Sequence, residues 1–289
     1  MKKTILQIAG GNNQVSLAQE VNNQNHNLIL VDPNLNSPCS KYSNIQLQHN
    51  TRFYLDIIKD IKEKNLKIDG VISDQSDAAL KSTSIIAEEL GLVSKSLSFI
   101  NNSLNKATQY EILSNKKIKV PKTYKCQLGK ERDFLERFEN ELFSLKKLYV
   151  LKPADSQGSK GVYIINSKES LEINLTNAFK ESKIGLVILQ EFIEGREYSI
   201  DGLISNGNFY PLVCASKFHY LNNQCIDERN TFFDDIERDI LLKLIIATKL
   251  AAKALNFQET LLHAELILSD KDDLAFIIEI SPRGGGGSI

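Results

Sequence analysis

No sign of charge dominates the chain: 35 lysines and arginines stand against 36 aspartates and glutamates in 289 residues. A nucleic-acid backbone or an anionic membrane surface calls for a field that this composition lacks, so any ligand is recognised locally. Long apolar runs are missing as well. None reaches the roughly 18 residues of a membrane span. Met1-Lys2-Lys3 leads straight into a short strand pattern and not into a signal-type apolar region. The expectation is a soluble, cytoplasmic protein with no nucleic-acid and no membrane partner. Cysteine is scarce: Cys39, Cys126, Cys214 and Cys225 have neither metal-ligand spacing nor that of a redox pair, so reduced, incidental thiols are expected. Two glycine signatures are also absent. Gly10-Gly11 followed by Asp32 lacks G-x-G-x-x-G, which favours tight-turn glycines and a strand-end aspartate over a dinucleotide site. No G-x-x-x-x-G-K-[ST] loop opens a helix anywhere.

What remains is an alternating α/β chain, long enough for two domains or one large composite domain. Ile5–Ala9 is a short apolar strand, a helical pattern runs through Val15, Leu17, Ala18 and Val21, and Leu28–Val31 is a continuous apolar run ending at Asp32-Pro33. A helical stretch from Thr51 to Lys64, the strand Gly70–Ser73 and a helix from Asp77 to Leu90 follow. Such alternation predicts an open parallel sheet. Further on, Leu148–Pro153 and Val162–Ile165 read as strands flanking the small-residue loop 154–161. Glycine and serine there let backbone N–H groups approach an anion, with Lys152 at the loop's base. A plain Gly-Ser hairpin with a surface lysine gives the same pattern. Lys106 opens a helix, where a solvated side chain is the ordinary expectation.

The segment Leu186–Gly202 runs as a strand into a bend and leaves as an alternating strand. It offers backbone groups and Ile193 to a flat ring, with Glu197 as an acceptor, although Glu191, Glu194 and Glu197 also fit a solvated acidic edge. The last two strands are acidic. Ala264, Leu266 and Leu268 share one face while His263 and Glu265 share the other; Ile278 and Ile280 are expected on one face of the final strand, with Glu279, Ser281 and Arg283 opposite. A hairpin through 269–273 sets two carboxylates against each other, an arrangement that raises a pKa or requires a cation such as magnesium. A half-exposed hairpin with solvated glutamates is the alternative. The segment 217–233, before an amphipathic helix near Asp234–Leu255, mixes aromatic and charged residues; it is a candidate for substrate contact and equally a connecting loop.

In this order the segments resemble the ATP-grasp superfamily, in particular its carboxylate-amine ligases and their relatives biotin carboxylase, D-alanine ligase and carbamoyl-phosphate synthase. The resemblance covers essentially the whole chain. It implies an α/β fold: a parallel-sheet, Rossmann-like pre-ATP-grasp domain at 1–100, then a two-lobed α+β ATP-grasp domain at 101–289. The smaller flap lobe would span about 119–187 and the larger lobe about 188–289, without the C-terminal extension that relatives usually carry. The resemblance further implies ATP and one or two magnesium ions, with manganese as a substitute. Lys106 and Lys152 would contact the phosphates, and the loop with Ser156, Gly158, Ser159 and Gly161 would fold over them. Gln190, Glu191 and Ile193 would frame adenine and Glu197 would hold the ribose. Glu265, Glu279 and Ser281 would ligate the metal, while Arg283 and Lys152 would serve catalysis. Gln190 replaces the usual glutamate and Ser281 the usual asparagine, which leaves the number of ions open. Small-molecule carboxylate and amine substrates are implied, with a homodimer as an open assembly. A bicarbonate-activating enzyme and an ATP-binding protein without turnover stay open as alternatives.

Overall fold

The structure is a computed structural model that describes the chain except for residues 142–146, 221–222, 233–235 and 286–289, and except for the side chains of 138–141, 220 and 223–227. It divides into two compact units: Met1–Asn102 together with Arg283, Gly284 and Gly285, and Ser103–Pro282. No helix among the described residues is long and apolar enough to cross a membrane.

The first unit is built in chain order from β1 (Thr4–Ile8), α1 (Val15–Asn23), β2 (Asn27–Val31), β3 (Ile45–Leu47), α2 (Tyr54–Glu63), β4 (Gly70–Ile72) and α3 (Asp77–Glu89). Its sheet is parallel, in the order β3-β2-β1-β4. The continuous apolar runs follow from burial on both faces. Ile8, Ile29 and Val31 pack with Ile57, Ile61 and Ile86 on one side, whereas Leu28 and Leu30 pack with Ala18, Val21 and Cys39 on the other. α3 starts at Ser76, whose hydroxyl accepts the Ala79 N–H, and the chain beyond it turns at Gly91 in the left-handed region. α4 (Leu97–Ser103) then leads to the second unit.

The second unit opens with α5 (Lys106–Asn115), β5 (Thr123–Gln127), α6 (Glu131–Glu141), β6 (Tyr149–Pro153), β7 (Tyr163–Ile165), α7 (Lys168–Glu181) and β8 (Leu186–Glu191). Its strands form an antiparallel sheet in the order β5-β8-β6-β7, with Leu151, Val187 and Leu189 packed on Leu171, Leu175 and Phe179 of α7. A second antiparallel sheet, ordered β11-β10-β9-β12-β13, comprises β9 (Gly195–Ser205), β10 (Asn208–Tyr220), β11 (Asn223–Phe232), β12 (Thr260–Ser269) and β13 (Ala275–Ser281). α8 (Arg238–Ala254) covers one of its faces. The chain enters β9 through Gly195, at φ +155°, where a Cβ atom would stand 2.0 Å from the Leu268 carbonyl oxygen; only glycine allows that approach.

The family resemblance implies a boundary near residue 100; in the structure Arg283 and Gly284 group with the first unit, where Asp77 pairs with the guanidinium and Asp74 Oδ1 accepts the Gly284 N–H at 2.9 Å. The final strand also departs from simple alternation. A β-bulge at Ile278 sets Glu265 opposite Glu279 but Leu266 opposite Ile277, so the fully buried pair is Ile277 and Ile280, and Ile278 is half-buried.

Candidate functional site

α5 begins at a side-chain cap, with Asn105 Oδ1 accepting the Thr108 N–H at 3.2 Å, and Lys106 therefore occupies the first helical position. Its N–H donates to the Ala154 carbonyl at 2.8 Å. Its ammonium donates to the Ser156 carbonyl at 2.8 Å and lies 3.3 Å from Glu279 Oε2. The solvated helix lysine expected from the residue alone is thus corrected to a buried one at 9% exposure. A cation at a helix N-terminus opposes the helix dipole, and the Glu279 carboxylate offsets that cost.

One turn further on, Tyr110 faces the same way as Lys106, as side chains four residues apart do. Lys152, buried on β6, donates to the Tyr110 hydroxyl at 3.0 Å and stands 5.3 Å from its ring centre. The hydroxyl in turn donates to the Ile278 carbonyl at the bulge. Burial pushes this phenol well above its ordinary pKa, so it stays neutral between charged neighbours. Tyr110 escaped the sequence reading, and its i+4 spacing from Lys106 was the available signal. Gln190 also lies here, 2% exposed, with its amide donating to Thr123 Oγ1 at 2.9 Å and hydrogen-bonded to Tyr110.

A second cluster spans three strands. Lys217 on β10 reaches Glu197 Oε1 and Glu265 Oε1, each at 2.8 Å. His219 Nε2 lies 2.9 Å from Glu197 Oε2, and His263 bridges Asp201 at 3.0 Å and Glu265 Oε1 at 3.4 Å. Acids and bases therefore alternate across β10, β9 and β12. Burial would raise the Glu265 pKa, but Lys217 and His263 outweigh it and hold the carboxyl well below its usual range. Burial likewise opposes charging of His263, yet the Asp201 and Glu265 carboxylates lift its imidazole to about 9.

Glu265 and Glu279 are cross-strand partners. Lys217 and His263 both engage Oε1 of Glu265, and Lys106 engages Oε2 of Glu279, so among the described residues each glutamate keeps one oxygen without a partner. No group of three or more His, Cys, Asp or Glu side chains among the described residues is placed to hold a metal by itself. Two half-committed carboxylates suit a hard cation that completes its shell with phosphate and water oxygens, as magnesium does. Ser281 is buried opposite His263 in the ladder.

The loop after β6 is built for an open backbone. Gly158, Ser159 and Gly161 have φ of 62°, 56° and 72°, and at Gly161 a Cβ would meet Pro153 and Glu181 at about 3 Å. Ser156 Oγ donates to the Lys160 carbonyl at 3.0 Å, while Asp155 ties the loop back to Ser182 and Lys183. After β8, the N–H groups of Glu191 and Phe192 donate to the carbonyls of Lys122 and Leu148 at 3.0 Å, and that of Ile193 has no partner among the described residues. Arg283 belongs to the first unit, where Nε donates to Asp77 and Nη1 to the Gly284 carbonyl at 2.8 Å. Of the candidate substrate segment, Lys217 and His219 enter the acid–base cluster, whereas residues 221–222 and Phe233 lie outside the described residues.

The family model for the ATP-grasp domain matches residues 103–287. The chain belongs to the ATP-grasp family. It is similar to the phosphoribosylamine–glycine ligase of Leptospira interrogans serogroup Icterohaemorrhagiae serovar copenhageni, at 31% identity over 105 residues, which is 35% of this chain and 24% of that protein. Its fold matches the crystal structure of an L-amino acid ligase from Bacillus licheniformis with a TM-score of 0.79 at 18% identity, over 99% of this chain and 68% of the other. It also matches a carboxyaminoimidazole ribonucleotide synthase from Aspergillus clavatus complexed with ATP, with a TM-score of 0.77 at 15% identity, over 98% and 70% of the two chains. The two structural likenesses span nearly the whole chain, the parallel-sheet unit included.

Proposed function

We propose that this ATP-grasp chain is an ATP-dependent ligase that joins a carboxylate to an amine, with ADP and phosphate as products. The observation that carries the proposal is the facing pair Glu265 and Glu279, each held by a lysine through one oxygen and each with the other oxygen unspent. Lys106 and Lys152 would neutralise the ATP phosphates, and the left-handed loop with Ser156, Gly158, Ser159 and Gly161 would close its N–H groups over them. The backbone from Glu191 to Ile193 suits adenine, since the Ile193 N–H is available to a ring nitrogen. Gln190 would support that edge from inside the sheet, and Glu197 would accept from ribose hydroxyls. Glu265 and Glu279, with Ser281 beside them, would hold magnesium, which supplies charge neutralisation to the phosphates when bound.

In the reaction a substrate carboxylate oxygen attacks the γ-phosphorus and ADP leaves, giving an acyl phosphate. The amine nitrogen then attacks the acyl carbon, phosphate leaves, and the nitrogen loses a proton to form the amide. Arg283 is assigned to the carboxylate and the acyl phosphate. The work of the chain is to position the reactants and to exclude water from the acyl phosphate.

The test is a panel of amino acids and other small carboxylates, each offered with an amine, ATP and magnesium, with the nucleotide product identified. Carboxylate-dependent ADP release is expected. AMP and pyrophosphate as products would exclude the acyl-phosphate route, and ADP release that needs only bicarbonate would replace amide formation with carboxylation.

A further inference from the structure

β12 carries His263 two residues before Glu265, so both side chains project from the same face of the sheet. His263 also stands directly opposite Asp201 on β9. Its ring is used at both ends: Nδ1 lies 3.0 Å from Asp201 Oδ1, and Nε2 lies 3.4 Å from Glu265 Oε1. Asp201 is 8% exposed, and the side chains of both residues are shielded from water. A ring pinned in this way has one orientation. From the other side, Lys217 donates to the same Oε1 at 2.8 Å. Two donors on one oxygen fix the carboxylate plane and turn Oε2 away from the cluster. The pattern is that of an outer-shell pair around a metal site, in which a carboxylate orients a histidine and the histidine orients a ligand.

We infer that the Asp201–His263 pair is a positioning device that presents Glu265 to the cation through a single oxygen. The inference rests on the assignment of Glu265 and Glu279 as the metal pair. It gives Asp201 and His263 a role although neither needs to touch ATP, substrate or metal. It also explains why a charged chain of contacts is buried in a sheet where apolar residues would pack at lower cost.

The test measures manganese binding to the folded full chain by electron paramagnetic resonance, with a non-hydrolysable ATP analogue present, for D201N, H263L and E279Q. Circular dichroism and metal-free nucleotide affinity serve as folding controls. If the pair positions Glu265, D201N and H263L each weaken manganese binding roughly 10- to 100-fold, the usual cost of losing an outer-shell partner. Metal-free nucleotide affinity stays unchanged in both. A histidine acting only through its charge gives the opposite sign, because removing a cation beside a metal site strengthens metal binding. Tighter or unchanged manganese binding in folded H263L therefore overturns the inference. H263R, whose guanidinium can span both carboxylates, should recover most of the lost affinity. E279Q separates the two levels: undiminished manganese binding in E279Q overturns the metal assignment itself, whereas loss in E279Q with none in D201N and H263L overturns the positioning role alone.

Discussion

Each unit places an acidic residue at the end of an apolar strand, and the two units use it differently. In the first, Asp32 follows β2 and spends both oxygens locally: Oδ2 accepts the Gly10 N–H and Oδ1 the Asn34 N–H, each at 2.8 Å. In the second, Glu279 near the end of β13 is held through Oε2 at 3.3 Å, and Oε1 has no partner among the described residues. The first carboxylate is a brace for two turns. The second is half a ligand. Both are carboxylates at or near the end of an apolar strand, so what distinguishes a structural acid from a functional one is the number of its lone pairs that the fold consumes.

The strongest way to break this contrast is Glu279→Gln. Loss of a metal carboxylate should cut ATP-dependent turnover by about 100- to 1,000-fold, corresponding to several kcal/mol of transition-state stabilisation. Steady-state ADP release measures it, and undiminished turnover in folded protein would make Glu279 no different from Asp32. Lys152→Met comes next. Removing a charged hydrogen-bond donor worth about 1.5–3 kcal/mol should weaken ATP binding roughly 10- to 100-fold by calorimetry. Unaltered affinity would leave Lys152 a structural role only.

Asp32→Ala tests the other side of the contrast. Two turn N–H groups lose their acceptor, which should cost about 1–2 kcal/mol of stability in denaturant titration and leave ATP affinity as it was. A nucleotide-binding defect in stable D32A protein would give Asp32 a ligand role after all. The last prediction is a pH dependence. The folded pKa of His263 is raised to about 9 from 6.5, so its contribution to stability is complete below about 6.5 and disappears as pH rises through about 9. Melting curves of wild type and H263L should therefore converge at alkaline pH. A constant separation across that range would contradict the bridging of Asp201 and Glu265.

The parallel unit was legible because its signal is local. Leu28–Val31 is apolar at every position since both faces are covered, and no distant partner has to be known to see it. β3 and β5 were not legible: one has three residues, and the other, Thr-Tyr-Lys-Cys-Gln, is a polar edge strand that depends on β8 for its pairing. In the site, the order of Lys106, Lys152, Glu197, Glu265 and Glu279 carried the resemblance to the family. Their pairings were invisible. Lys106 is buried because a carboxylate far along the chain neutralises it, and Lys217 joins Glu197 to Glu265 because β9 lies between β10 and β12. Such facts belong to strand order, which side-chain patterning does not encode.

The extra residue at Ile278 bears on how this chain should be aligned with its relatives. Without it, Glu279 would still oppose Glu265 and Ile277 would still oppose Leu266, so the deletion would leave both faces of β13 as they are. What would go is the carbonyl that receives the Tyr110 hydroxyl. A relative one residue shorter here can therefore keep the paired glutamates, and a gap placed elsewhere in the strand would exchange core positions for site positions. Variation in length at this position should accompany variation at position 110, a pairing that a sequence comparison can count without any structure.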